Sequence, residues 1–334
     1  MSTKVTKIGV LTSGGDSPGM NAAIRAVVRT GLYRGLEVFG IMRGYNGMIE
    51  DDIYQMNSRS VANIIQRGGT ILKTARSKDF MTEDGRKRAY ANLQKRGIDG
   101  LVVIGGDGSF TGAYKLSQEF NIPCIGIPGT IDKDLYGTDF TLGFDTAANT
   151  AVQAIDKIRD TADSHDRLFI VEVMGRHAGY IALHSGIATG AENILMPEVN
   201  TTLDEMVASL SEQEKRKKLV NLVIVAEGYV PDPNHPELKG ANEVERLIQK
   251  RLKGLEIRVT ILGHIQRGGP PSCIDRFIAS RMGYHAVESL VEGRHNVMVG
   301  IFHDTIHYTP LEIAIREKQK IGEDWMELVK VLAS

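Results

Sequence analysis

Cysteine is scarce: two in 334 residues, too few for a disulfide framework. Cys124 lies inside the apolar run IPCIGIPG and reads as a buried strand thiol. No apolar run approaches the ~20 residues of a membrane span, so no spanning helix is expected. The opening residues MSTKVTKIGVLTSGG lack the apolar core of a secretory signal, which makes the cytoplasm the expected compartment. An excess of one charge is missing too, since 40 Lys and Arg face 41 Asp and Glu for a net −1. Binding to nucleic acid or to an anionic membrane is therefore not expected, and any bound anion must be held by local cations. There is no internal repeat and no long disordered linker.

Glycine is plentiful, with 36 residues placed singly or in pairs at the ends of apolar runs. That placement implies many tight turns and close backbone approaches. At 42% hydrophobic and 24% charged the chain has the make-up of an ordinary globular protein, and its length suits two domains. Short β-branched runs alternate with helical periods, the pattern of a parallel α/β fold. Strands are expected at 8–11, 101–106, 124–129, 168–175, 221–228 and 256–264. Helices are expected from about Pro18, at 88–95, after Gly108, at 146–161, after His177 and at 240–254.

Ligands of open parallel sheets bind at the carboxyl ends of strands, and here several strands run into glycine-rich or polar loops. TSGGDSPGMN at 12–21 offers backbone N–H groups and a helix N-terminus suited to phosphate, or it is a structural turn. It is not a Walker A loop, because Met20-Asn21 stands where Lys-Ser/Thr is needed. In IGGDGS at 104–109, Asp107 sits between glycines that let backbone approach a nucleotide. A carboxylate there repels phosphate unless a cation intervenes, which points to Mg²⁺; the alternative is a helix-capping aspartate. PGTIDKD at 128–134 places two aspartates after a strand, one able to take a proton from a substrate hydroxyl. Arg76, Arg167, Arg176, Arg258, Arg267 and His264 lie in separate segments. Singly each reads as a surface or salt-bridge residue; together they suggest a second, sugar-phosphate anion.

The strings TSGGDSPGMNAAIR, GGDGS, PGTIDKD, VEVMGR and LGHIQRGG, in that order, resemble the signature set of bacterial ATP-dependent 6-phosphofructokinases over nearly the whole chain. The resemblance implies two Rossmann-like three-layer α/β domains with mainly parallel sheets. Residues 1–142 plus about 256–306 would bind ATP, and 143–255 plus about 307–325 fructose 6-phosphate. It implies ATP contacts at Gly15, Tyr45, Arg76, Ser77, Arg86, Gly106, Gly108 and Ser109, with Asp107 near Mg²⁺. Asp132 would be the general base, organised by Thr130 and Asp134, and Arg76 and Arg176 would meet the transferring phosphoryl group. Ile131, Met174, Gly175, Glu227, His264, Ile265, Gln266 and Arg267 would complete the substrate site. Arg167 and Arg258 would reach the sugar 6-phosphate from a neighbouring subunit of a homotetramer. An ADP or phosphoenolpyruvate effector would meet Arg25, Arg29, Arg159, Glu192, Arg216 and Lys218; the alternative for Arg25 and Arg29, four apart on one helix, is a solvated basic face.

Gly108 and Gly129 stand where pyrophosphate-using relatives carry aspartate and lysine, which argues for ATP. Three positions depart from the family pattern. Lys133 replaces an asparagine, Ser77 an aromatic or cysteine near adenine, and Ser58-Arg59 an arginine–aromatic pair of the effector site. Neighbours in an extended segment alternate faces, so Lys133 is expected to point into solvent; reaching Asp132 or the phosphate is the alternative. Another GGDG-loop kinase, acting on NAD or a lipid, and an inactive sugar-phosphate sensor are the competing functions.

Overall fold

Successive residues of a strand point to opposite faces of a sheet, so an unbroken aliphatic run such as LVVIG is apolar on both and needs cover on both. The computed structural model meets that need with helices on each face. It describes residues 5–162, 167–199, 205, 207, 208, 210, 211, 221–252 and 254–333. In chain order the described strands are β1 (Lys7–Thr12), β2 (Glu37–Ile41), β3 (Ile53–Met56), β4 (Gly100–Gly105), β5 (Cys124–Pro128), β6 (Leu168–Val173), β7 (Asn193–Leu195), β8 (Asn221–Ala226), β9 (Ile257–Ile261), β10 (Val297–Phe302) and β11 (Thr305–Pro310). The chain divides into two units, Met1–Thr146 with Arg267–Gln319 and Ala147–Gln266 with Lys320–Ser334.

The first unit carries a seven-stranded sheet in the order β11-β10-β5-β4-β1-β2-β3. Its central pairs are parallel, whereas β3 and β11 are antiparallel edges. Val10, Val102, Ile104, Ile125 and Ile127 face one cluster with α1 (Met20–Tyr33) and the helix Cys273–Val291. Leu11, Leu101, Val103 and Cys124 face the other, with α2 (Tyr45–Glu50), α3 (Glu83–Arg96) and α4 (Asp107–Phe120). Each fully buried side chain such as Phe110 or Leu101 contributes about 1.5–3 kcal/mol. Cys124 is fully buried, as expected, and burial pushes its thiol up to about 12.

The second unit holds an all-parallel sheet, β7-β8-β6-β9. Leu168, Ile170, Val223 and Val225 pack with Val244 and Ile248 of the helix Ala241–Arg251. The next helices in chain order, α5 (Phe144–Ala162) and α6 (Tyr180–Ala188), flank β6, and α6 packs on β7 and β8. Among the described residues no helix is long and apolar enough to cross a membrane.

The chain's returns between units differ from the expected ones. Ile257–Ile261 pairs with β6, Leu168 opposite Ile257, so 256–266 belongs to the second unit rather than the first. β11 folds back on β10, which keeps 307–319 in the first. The first crossing lies within α5, whose opening residues are tied down by buried Asp275. Its carboxylate accepts from Gly143 N (2.8 Å), Thr146 N (2.9 Å) and Thr146 Oγ1.

Candidate active site

Parallel pairing aligns strand ends, so the loops after β1, β4 and β5 are brought side by side. Thr12 lies opposite Ile104, and Gly105 opposite Pro128. The contacts continue past the strands: Ser13 N donates to Ile104 O at 3.0 Å and Gly129 N to Gly105 O at 2.9 Å. Only glycine fits at 105, because a Cβ there would lie 2.5 Å from both Ser13 O and Ser109 Oγ. The loops TSGGDSPG, GGDGS and PGTIDKD thus form one rim of polar backbone.

Asp107 opens α4, so its carboxylate and the free amides of the first turn share one end of the helix. Lys318 places its ammonium 2.7 Å from Asp107 Oδ2. Among the described residues no three His, Cys, Asp or Glu side chains gather as a metal cage. One carboxylate beside open backbone suits a Mg²⁺ that rides on nucleotide phosphates and keeps its waters. Gly108 faces open space, and a Cβ added there would meet nothing within 4 Å, whereas a Cβ at Gly129 would meet Ile104 Cγ2 and Met20 Cε at 3.1 Å. A side chain at 129 is therefore a tight fit that needs Ile104 and Met20 to give by a few tenths of an ångström.

Three residues that the resemblance places near ATP also make contacts within the scaffold. Tyr45 is buried, stacks on Phe80 at 3.9 Å and donates its hydroxyl to Ser109 O; burial raises its pKa. Arg86 is buried with both arms on Glu119 (2.7 Å each) and donates to Phe80 O and Met81 O. Ser77 Oγ accepts from Phe80 N. All three shape the wall behind the GGDGS loop. The Arg76 side chain is exposed, and its carbonyl is held by Asn46.

In the third loop Thr130 Oγ1 accepts from Asp132 N at 3.1 Å. Asp132 is buried, at 3% exposure, and Asp134 is half-buried. The Ile131 side chain is wholly buried, which leaves only its backbone for a substrate. Lys133 departs from expectation. Its φ is +54°, the left-handed region, so the segment is not extended and the alternation of faces fails. Its ammonium lies over the Phe144 ring, 4.8 Å from the centroid, instead of in solvent. Burial lowers its pKa, and Asp139 opposes the shift. Asparagine, the residue the resemblance puts at this position, tolerates left-handed backbone. Arg267 donates to Asp16 O at 3.2 Å beside Gly15, so the structure groups it with the first loop.

In the second unit the carboxyl end of β6 is held in a similar way. Glu227 Oε1 accepts from Gly175 N (3.3 Å) and Arg176 N (2.7 Å), and buried Gln266 accepts from Met174 N. Arg176 has φ +55°, a strained conformation that Glu227 stabilises. His264, Ile265 and the Arg176 side chain are exposed. Arg167 and Arg258 lie at the amino end of β6 and β9, both on Glu256 at 2.7 and 2.5 Å. The six residues of β6 separate Arg167 from Met174, about 20 Å along the strand, and Arg258 lies opposite Phe169 near the same end. Two guanidinium groups on one carboxylate leave one positive charge for a further anion, and hold Glu256 below the usual carboxylate range.

Of the effector set, Arg159 donates to Gly190 O and buried Glu192 accepts from Leu222 N. Arg25 is half-buried and Arg29 exposed on α1, while Ser58 and Arg59 are exposed. Arg216 and Lys218 lie outside the described residues. Lys318, Asp275, Glu119 and Glu256 carry no signal in the sequence, because their partners lie elsewhere in the fold.

Residues 7–290 match the phosphofructokinase family. The chain is 53% identical over 326 residues to the ATP-dependent 6-phosphofructokinase of Thermoanaerobacter sp. (strain X514), covering 98% of this chain and 99% of that one. It is 54% identical over 327 residues to ATP-dependent 6-phosphofructokinase 1 of Thermus thermophilus, again covering 98% and 99%. The phosphofructokinase structure from Saccharomyces cerevisiae superposes with a TM-score of 0.87 at 39% identity, over 93% of this chain and 45% of that longer one. A pyrophosphate-dependent phosphofructokinase from Marinobacter aquaeolei shares the fold, with a TM-score of 0.83 at 23% identity over 97% and 91%.

Proposed function

Because the chain belongs to the phosphofructokinase family, we infer that it transfers the γ-phosphate of Mg-ATP to the 1-hydroxyl of fructose 6-phosphate, a committed step of glycolysis in the cytoplasm. The carrying observation is the abutment of the GGDGS and PGTIDKD loops through Gly129 N and Gly105 O. It sets the GGDGS loop, read as the phosphate loop, beside the segment that carries the buried Asp132 carboxylate. Phosphoryl transfer needs positioning and charge neutralisation more than covalent help, and that is the kind of residue these loops supply.

In this reading the amides of Gly106 to Ser109 and of the Gly15 loop hold the nucleotide phosphates, with Asp107 toward the metal. Mg²⁺, when bound, would screen the phosphate charge. Asp132 takes the proton of the 1-hydroxyl, and the Thr130 hydroxyl fixes its loop. Arg76 and Arg176 offset charge on the transferring group, and Asp134 orders the centre. Glu227, Met174, Gly175, His264 and the 264–267 turn hold the sugar. Arg167 and Arg258, near the amino ends of β6 and β9, serve a neighbouring copy's site in a homotetramer. ADP or phosphoenolpyruvate binding through Arg25, Arg29, Arg159 and Glu192 belongs to the same reading. Comparing fructose 6-phosphate turnover with ATP and with pyrophosphate tests it. Turnover with ATP alone is expected; none with either donor would turn the reading toward a sugar-phosphate sensor.

A further inference from the structure

Asp107 is the one charged side chain of the GGDGS loop, and that carboxylate already has a cation. Lys318 comes to it from 211 positions away, Nζ to Oδ2 at 2.7 Å. The lysine is anchored as well as paired, since its backbone bridges Leu135, just beyond the TIDKD loop. Its side chain is 51% exposed and that of Asp107 37%, so the pair is open to the solvent from which a nucleotide would arrive. A bare ion pair this exposed is worth little to folding, roughly 0–1 kcal/mol. Its consequence lies in what it does to charge at the loop.

We propose that Lys318 is a positioning residue of the donor site: it is the resident cation at Asp107, neutralising that carboxylate toward a nucleotide that carries no divalent metal. This rests on the reading that Asp107 faces the phosphates. A lone carboxylate repels a polyphosphate at close range, and either a metal ion or an ammonium removes the repulsion. The two cations compete for the same oxygens, because an ammonium at Oδ2 obstructs inner-sphere Mg²⁺ on that side. Lys318 thus lowers the site's discrimination between metal-free and metal-loaded nucleotide. Product ADP that has lost its metal would meet a neutral loop rather than a repelling one.

The test is isothermal titration of ATP into the full-length enzyme, once in EDTA and once in excess Mg²⁺. Wild type, Lys318→Met, Lys318→Arg and Asp107→Asn are compared, with thermal midpoints as folding controls. The reported quantity is the ratio of dissociation constants, metal-free over metal-loaded. Lys318→Met raises this ratio by about three- to tenfold, and Lys318→Arg, which keeps the charge, restores it. Asp107→Asn lowers the ratio, because the repelling charge is gone. A Lys318→Met ratio equal to wild type, with Asp107→Asn still lowering it, overturns the role of Lys318 alone. A ratio unmoved by Asp107→Asn overturns the placement of Asp107 and this inference with it.

Discussion

Lys133 occupies left-handed backbone next to Asp132, and the cost can be set against what its side chain gains. A non-glycine residue in that region is strained by about 1–2 kcal/mol. The ammonium over Phe144, at 4.8 Å, returns about 0.5–2 kcal/mol. Lys133→Ala keeps the strain and loses the ring contact, so it destabilises by about 1 kcal/mol. In a unit of this size that lowers the thermal midpoint by about 2–4 °C. Lys133→Asn loses the same contact but relieves most of the strain, and should melt within about 1–2 °C of wild type. Lys133→Gly also relieves strain, offset by a more flexible unfolded chain, and should fall between them. The expected order is Lys and Asn together, then Gly, then Ala, by calorimetry or urea unfolding. An Ala variant as stable as Asn refutes the reasoning, because it would show the strain to be negligible. The pH dependence has a definite sign. Burial depresses the Lys133 pKa, so near alkaline pH the unfolded lysine holds a proton that the folded one has released. Wild type therefore gains stability relative to Lys133→Asn as pH climbs toward 10.5. Because the ammonium is engaged with Phe144, the acid limbs of the kcat/KM profiles of wild type and Lys133→Asn should superimpose; a displaced limb would place the charge on Asp132.

Asp132→Asn should lower kcat by about 10²–10⁴-fold with fructose 6-phosphate binding retained by titration, and near-normal kcat would remove it as the base. Gly108→Asp, built into open space, should fold with an unchanged midpoint yet turn over ATP about tenfold more slowly, since a carboxylate there faces phosphates. Gly129→Lys should instead fail in thermal stability, and an unchanged midpoint would show that Met20 and Ile104 yield easily. Mixed oligomers of Arg167→Ser and Asp132→Asn subunits should recover activity that neither parent has; hybrids confirmed by mass spectrometry but inactive would place each site within one chain. Asp275→Ala removes the acceptor shared by Gly143 N, Thr146 N and Thr146 Oγ1 and should cost about 3 kcal/mol or more, measured by urea unfolding.

The central strands and their loops were legible in the sequence because each is a local signal. An apolar run ending in glycine says strand and tight turn whatever lies around it, and the order of five motifs carried the family. β2, β3, β7, β10 and β11 were not read from the sequence: β3, β7 and β11 lie at sheet edges and leave a weak pattern, whereas β2 and β10 are interior strands whose short apolar runs carry no signal that separates strand from helix. The return of the chain at 266–267 and at 319–320 was also hidden, because which sheet a strand joins is decided by hydrogen-bond register with β6 or β10, not by its own residues. The family resemblance put Tyr45 and Arg86 near a nucleotide, and the glycine-flanked carboxylate marked Asp107 as ligand-facing. Tertiary structure gave two of them partners at Ser109 and Glu119, and brought Lys318 to the third across 211 positions. It also bent Lys133 into the left-handed region and turned its charge onto Phe144. The sequence alone determined which chemical groups the chain owns and in what order. Which of them meet was decided only when parallel pairing drew three strand ends together, since a side chain's partner depends on distances that no local pattern encodes.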